Sequence, residues 1–137
     1  MTEPASEDVS VLVVDDQRPF RVAASAVLRM TPGFELVGEA ASGEEAVEQV
    51  GTLAPDLVLM DVSMPGIGGV EATRRITALP AAPVVFFCST YAASDLPADA
   101  VEAGAAAYLG KADLAAELLA RLWDESQSSA DGHATTA

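Results

Sequence analysis

The sequence predicts an α/β protein in which a doubly wound parallel sheet of five strands is covered by helices on both faces. Short apolar runs alternate five times with longer segments that have helical spacing of apolar residues. Two of the runs, VSVLVV (Val9–Val14) and PVVFFC (Pro83–Cys88), are nearly continuous, which is typical of strands buried on both faces. At 137 residues the chain is long enough for one domain of this kind.

Proline, glycine and a capping motif delimit the first two strand–helix units. After Val9–Val14, Pro19 marks the first turn of a helix, which the Pro-Gly pair at positions 32 and 33 ends. Phe34–Ala40 alternates apolar and polar residues like a half-buried strand. Ser42–Glu45 (SGEE) is a capping box, so we expect the second helix to begin there.

The later elements follow the same pattern and define the limits of the domain. We expect a third strand at Leu57–Met60, a fourth at Pro83–Cys88, a fifth at Ala107–Leu109, and helices at Gly68–Ala78 and Asp113–Trp123. The folded domain therefore spans residues 9–123. Residues 1–8 and 124–137 are polar, so we expect a flexible N-terminus and a disordered tail.

The charge and the cysteine content exclude several classes of partner. The chain has 21 acidic and 7 basic residues and a net charge of −14, which disfavours nucleic acids and anionic membranes. No apolar run approaches the roughly 18 residues of a membrane span. The acidic first ten residues do not resemble a secretory signal, and the single Cys88 cannot form an internal disulfide. These features indicate a cytoplasmic protein that can attract a divalent cation.

Polar residues follow four of the predicted strands. Asp15 and Asp16 follow the first strand, Asp61 the third, Ser89 the fourth and Lys111 the fifth. Doubly wound folds bind ligands at the carboxyl ends of their strands, so we expect these side chains to share one crevice. Alone, the acidic pair would also suit a solvated or helix-capping turn, and Ser89 a hydroxyl that satisfies backbone groups.

Together these residue types point to Mg²⁺ and phosphoryl chemistry. Carboxylate oxygens suit Mg²⁺, so Asp15, Asp16 and Asp61 form a candidate metal site. Lys111, the only lysine of the chain, and the Ser89 hydroxyl can hold phosphoryl oxygens. Asp61 stands alone on the middle strand and is therefore the candidate nucleophile, since carboxylates can form aspartyl-phosphates.

Three segments of the chain resemble the signature stretches of response regulator receiver domains. These are VLVVDDQ, LVLMDVSMPGIGGVEATRRI and GAAAYLGK, and the resemblance covers about Val9 to Trp123. It implies a CheY-like, flavodoxin-like sheet with strand order 2-1-3-4-5. It also implies transfer of a phosphoryl group from a sensor histidine kinase to Asp61, followed by hydrolysis. The GAAAYLGK pattern is most similar to receivers of the NarL/LuxR type, which precede a helix-turn-helix output.

The resemblance assigns roles to individual residues. It makes Asp61 the phosphoacceptor and gives Mg²⁺ to Asp15, Asp16, Asp61 and the backbone carbonyl of Ser63. The family's conformational switch would use two further positions. Ser89 matches the hydroxyl that moves toward the phosphoryl group, and Tyr108 matches the aromatic ring that turns inward. The resemblance also implies a homodimer through the fourth helix, fifth strand and fifth helix.

The sequence departs from the family pattern at several positions. Ala112 stands where proline often follows the lysine, and Thr90 where a small residue is preferred. Pro97 falls in the expected fourth helix, so we expect this helix to start near Pro97 or to be unwound, with no regular helix through residues 93–97. Ser63 and Tyr91 occupy positions that tune hydrolysis in the family.

Two alternatives to a phosphorylated receiver remain open from the sequence. A pseudo-receiver would keep the fold and act only as a binding or dimerisation module. A Mg²⁺-dependent phosphatase would need a D-x-D-x-T arrangement, which Asp15-Asp16-Gln17 does not supply. We therefore expect a signalling domain that catalyses only its own phosphorylation and dephosphorylation. Whether it acts alone or belongs to a DNA-binding regulator stays open.

Overall fold

The computed structural model describes residues 8–90 and 98–130, which form one five-stranded parallel sheet covered by helices. The strands are β1 (Val9–Val14), β2 (Phe34–Ala40), β3 (Leu57–Asp61), β4 (Val84–Ser89) and β5 (Ala107–Gly110). Their order in the sheet is β2-β1-β3-β4-β5, and all four pairings are parallel. The predicted fold class and strand order are confirmed.

In residues 8–90 and 98–130, five α-helices lie on the two faces of the sheet. They are α1 (Arg18–Arg29), α2 (Gly43–Leu53), α3 (Gly68–Thr77), α4 (Ala98–Glu102) and α5 (Ala116–Ala130). Buried residues of α1 and α5 pack on one face, and those of α2, α3 and α4 pack on the other. In the described part of the chain, no helix is both long and apolar enough to span a membrane.

The core explains why the strand sequences are almost continuously apolar. Val11 and Val13 of β1 pack against the α1–α5 side, whereas Leu12 and Val14 pack against the α2–α4 side. All four side chains have no exposed surface. A central parallel strand has helices on both faces, so alternate side chains are equally buried.

The capping box predicted at the start of α2 is present with one change. The Ser42 hydroxyl accepts a hydrogen bond from the Glu45 backbone N–H at 3.1 Å, as expected. The Glu45 carboxylate accepts its reciprocal bond from the N–H of Ala41 at 2.6 Å, one residue before the expected donor.

The fifth helix begins later than the sequence predicts. The expected start was Asp113, but Lys111–Asp113 forms a 3₁₀ turn and Leu114 has extended backbone angles (φ −64°, ψ 119°). This conformation lets Leu114 pack against the core on the α1–α5 face. The carbonyl of Ala115 then accepts the first helical bond, from Leu119 at 3.0 Å.

The same helix also ends later than predicted. A disordered tail was expected from residue 124, yet α5 continues to Ala130. The Ser126 hydroxyl donates to the Trp123 carbonyl at 2.7 Å, and Arg121 pairs with Glu125 one turn later at 3.8 Å. These local contacts support a polar helix that apolar patterning does not reveal. Residues 1–7 and 131–137 of the expected flexible ends lie outside the described residues.

The described part of α4 starts at Ala98, directly after Pro97, and has five residues. Ala100 of this helix and Ala103 of the turn that follows it are buried on the side that faces the sheet. Residues 93–97, where no regular helix is expected, lie outside the described part of the chain.

Candidate metal and phosphoryl site

The carboxyl ends of neighbouring strands bring the predicted site residues to one edge of the sheet. Asp15 follows β1, Asp61 ends β3, Ser89 ends β4 and Lys111 follows β5. Cys88 is paired with Asp61 in the sheet register, and Ser89 is paired with Gly110. Three of these polar residues are buried, since Asp15, Asp61 and Ser89 are at most 5% exposed as whole residues.

Three carboxylates converge at the centre of this edge. One oxygen from each of Asp15, Asp16 and Asp61 lies within 4.8 Å of the other two. The turn after β1 contributes to this geometry, since the Gln17 backbone N–H donates to Asp15 Oδ1 at 2.8 Å. Buried carboxylates at this spacing repel one another unless a cation lies between them.

Lys111 supplies one positive charge to the cluster. Its ammonium is paired with Asp15 Oδ2 and lies 3.4 Å from Asp61 Oδ1. The ammonium also lies 4.7 Å from the centre of the Phe20 ring, so an aromatic face covers it. Burial lowers the pKa of Lys111, but the hydrogen bond to Asp15 and the charge of Asp61 outweigh it. The pKa therefore lies above its usual value, and the side chain stays cationic at neutral pH.

The charge of the cluster is not balanced by Lys111 alone. Burial, followed by the negative charge of Asp15, raises the pKa of Asp61 from 3.8 to about 6. The Lys111 ammonium and the Ser63 backbone N–H act in the opposite direction without cancelling this effect. Three carboxylates and one ammonium leave excess negative charge, and all candidate ligands are hard oxygen atoms. This donor set fits Mg²⁺, which binds through one or two carboxylates and leaves room for water or phosphate oxygens.

The other predicted residues lie around the cluster. Ser63 is exposed, and its N–H bonds to Asp61; the predicted use of its carbonyl as a metal ligand stays a prediction. Tyr108 is partly buried against the α2–α4 side of the core. It also lines a shallow cavity of about 460 Å³ with residues of α5. The switch roles of Ser89 and Tyr108 stay predictions. Thr90, which follows β4, is exposed.

Cys88 lies beside the site but belongs to the core. Its side chain is fully buried on the α1–α5 face. Burial raises the pKa of its thiol to about 12, so the thiolate is strongly disfavoured.

Sequence patterns did not reveal two residues that shape the site. A side chain at Gly69 would place its Cβ 1.9 Å from the carbonyl oxygen of Asp61, so only glycine allows α3 to pack there. The double glycine in GIGG hints at such an approach. Arg21 contacts the backbone of Asp15 and the side chain of Glu39, which is 18 positions away in sequence. A single arginine on a helix does not allow these contacts to be predicted from the sequence.

Comparisons with known proteins agree with the fold. The family model described as "Response regulator receiver domain" matches residues 11–122. The response regulator UvrY of Escherichia coli (strain K12) is 45% identical over 103 residues, which cover 75% of this chain and 47% of that protein. A protein-glutamate methylesterase/protein-glutamine glutaminase of Alkalilimnicola ehrlichii is 42% identical over 113 residues, which cover 80% of this chain and 29% of that protein.

A solved structure of a response regulator has the same fold. The crystal structure of a two-component response regulator of the LuxR family from Aurantimonas sp. SI85-9A1 has a TM-score of 0.78 and 31% sequence identity. The match covers 88% of this chain and 86% of that one. By contrast, the chain spans about half the length of UvrY and under a third of the methylesterase.

Proposed function

Because the chain belongs to the response regulator receiver domain family, we propose that it accepts a phosphoryl group on Asp61 in a Mg²⁺-dependent reaction and changes conformation as a result. One observation carries this proposal. The buried Asp61 carboxylate lies next to two further carboxylates and 3.4 Å from the ammonium of Lys111. A nucleophile, ligands for a divalent cation and a fixed positive charge are thus within one site.

The ionisation of Asp61 suits its role as nucleophile. With a pKa of about 6, the carboxylate is mostly ionised at pH 7 and more basic than an ordinary aspartate. One of its oxygens forms a bond to phosphorus while the bond from phosphorus to the donor's imidazole nitrogen breaks and the nitrogen keeps the electron pair. Hydrolysis later returns the carboxylate and inorganic phosphate.

The neighbouring groups neutralise charge and hold the phosphoryl oxygens. Asp15, Asp16, Asp61 and the Ser63 carbonyl would bind Mg²⁺, which neutralises negative charge on the phosphoryl oxygens when bound. Lys111 already contacts Asp61, so a small movement brings its ammonium to a phosphoryl oxygen. The Ser89 hydroxyl would move to donate to another phosphoryl oxygen. The ring of Tyr108 would then turn inward.

Signalling, rather than turnover of an external substrate, is the activity that we propose. The matched methylesterase is an enzyme, but the match covers only 29% of it. We infer that this chain catalyses only its own phosphorylation and dephosphorylation in the cytoplasm. Its phosphoryl donor would be a sensor histidine kinase, and its output a homodimer through α4, β5 and α5 or a transcriptional response. With a net charge of −14, direct binding of nucleic acid or membrane by this chain is disfavoured.

Intact mass spectrometry after incubation with acetyl phosphate and Mg²⁺ tests the proposal. We expect one phosphoryl adduct that alkali or hydroxylamine removes. EDTA and Asp61→Asn should each abolish the adduct, whereas Asp124→Asn, at an exposed position of α5, should retain it. If the wild-type chain formed no adduct under any condition, it would be a pseudo-receiver that acts by binding alone.

A further inference from the structure

We propose that Arg21 is a positioning residue for the Mg²⁺ site, and that it acts through the backbone of Asp15 while Glu39 holds its guanidinium in place. The inference rests on the proposed Mg²⁺ site. It assigns a role to a residue that binds no metal and carries no atom of the reacting groups.

The contacts of Arg21 join two elements at the edge of the sheet where the carboxylates converge. Its Nη1 donates to the Asp15 carbonyl at 2.8 Å, and its Nε donates to Glu39 Oε1 at 3.0 Å. The Arg21 side chain is 17% exposed, although it belongs to a surface helix. A planar guanidinium that donates to two acceptors at once has less freedom to move.

The accepting carbonyl belongs to the peptide group that joins Asp15 to Asp16. This group is planar, so a bond to its oxygen fixes the orientation of the backbone leading into Asp16. The Asp15 N–H donates to the Ala40 carbonyl at 3.0 Å. Glu39 immediately precedes Ala40, so the end of β2 holds Asp15 both directly and through Arg21.

Simple electrostatics and positioning predict opposite effects of removing Arg21. Loss of a cation near three carboxylates should strengthen the attraction of Mg²⁺. Loss of a bond that orients the backbone between two ligands should weaken binding. Groups that hydrogen-bond to metal ligands typically contribute about 10- to 100-fold to affinity. Arg21 contacts the backbone of a ligand residue and not its carboxylate. We therefore expect it to contribute about tenfold to Mg²⁺ affinity, the lower end of this range.

The test is a Mg²⁺ titration of the full chain followed by backbone amide NMR shifts, at constant ionic strength. We expect the Kd of Arg21→Ala to be about tenfold higher than that of the wild type. Arg21→Lys and Glu39→Gln should give smaller increases, because each removes part of the contact. Arg18→Ala is the charge-matched control: it removes an exposed arginine of the same helix, for which the described residues show no hydrogen bond or ion pair. Its Kd should be unchanged or lower.

The outcomes separate this inference from the proposed function. Suppose that the wild type binds Mg²⁺ and that Arg21→Ala binds it as tightly as Arg18→Ala. Arg21 then has no positioning role, but the proposed metal site is still supported. If wild type does not bind Mg²⁺, both proposals fail. Should Arg21→Ala not fold, Arg21→Lys decides. This variant keeps the positive charge but cannot reproduce the planar guanidinium that donates to both Asp15 and Glu39, so a raised Kd supports the inference and an unchanged Kd overturns it.

Discussion

At the scale of single residues, the properties of Asp61 follow from where β3 ends. The carboxylate is buried beside Asp15, and its pKa is about 6 instead of 3.8. A carboxyl with a raised pKa in the folded state takes up protons more readily there than in the unfolded chain. The contribution of Asp61 to the free energy of unfolding is therefore most favourable below about pH 4, and it is lost as the pH rises through 6.

Asp61→Asn should consequently stabilise the metal-free protein at neutral pH. We expect a gain on the order of 1–2 kcal/mol at pH 7, because a buried negative charge beside Asp15 is removed. The gain should shrink toward pH 4, where wild-type Asp61 is protonated. Denaturant unfolding from pH 4 to 8 in EDTA measures both effects. A variant that is less stable than wild type at pH 7 would contradict this account of the site.

Cys88 should be chemically inert in the folded protein. Burial raises the pKa of its thiol to about 12 and removes it from solvent, so almost no accessible thiolate exists at pH 8. The native chain should react with a disulfide reagent only as fast as it opens, while the chain in denaturant reacts at once. Equal rates in the two conditions would show that Cys88 is accessible to solvent in the folded protein.

At the scale of elements, the packing of α3 on the acceptor strand depends on one glycine. Gly69→Ala would place a Cβ 1.9 Å from the Asp61 carbonyl oxygen, so the backbone must shift. We expect a loss of roughly 1–3 kcal/mol in unfolding free energy and weaker Mg²⁺ binding. Gly51→Ala in α2 is the matched control. No atom lies within 4 Å of its added Cβ, so it should stabilise by about 0.5–1 kcal/mol. Equal effects of the two variants in urea unfolding would contradict the close approach.

Element boundaries show where sequence patterns are sufficient and where they fail. The strands were predicted to within one residue. The central strands β1, β3 and β4 are continuous buried apolar runs, and β2 alternates as a half-buried strand should. The start of α5 was misplaced because tertiary contacts of Lys111 and Leu114 set the turn before it. Its end was misplaced because side-chain bonds near Ser126 support a helix without apolar periodicity.

At the scale of the whole molecule, the sequence predicted which residues meet but not what holds them. Asp15 and Asp61 meet because β1 and β3 are neighbours in the sheet, and Lys111 reaches them from the end of β5, two strands from β3. The resemblance to the family identified the same residues. The contacts of Arg21 could not be foreseen, since they depend on the relative placement of α1 and β2.

Mg²⁺ should stabilise the whole fold, because it neutralises a site whose carboxylates repel one another. In a chain of net charge −14 some general stabilisation by salt is expected, so ionic strength must be matched with NaCl. Binding to the folded state alone raises the unfolding free energy by an amount set by the ratio of Mg²⁺ concentration to Kd. The thermal midpoint should rise with Mg²⁺ in wild type and much less in Asp16→Asn. Identical shifts in the thermal midpoint would show that Asp16 is not a metal ligand.

We expect Asp61, and no other carboxylate, to receive the phosphoryl group. Borohydride reduces an aspartyl-phosphate to homoserine, so reduction after treatment with acetyl phosphate and Mg²⁺ marks the modified residue. Peptide mass spectrometry should find homoserine at position 61 and nowhere else, and none when EDTA is present. Homoserine at position 15 or 16, or at no position, would contradict the assignment of Asp61 as the phosphoacceptor.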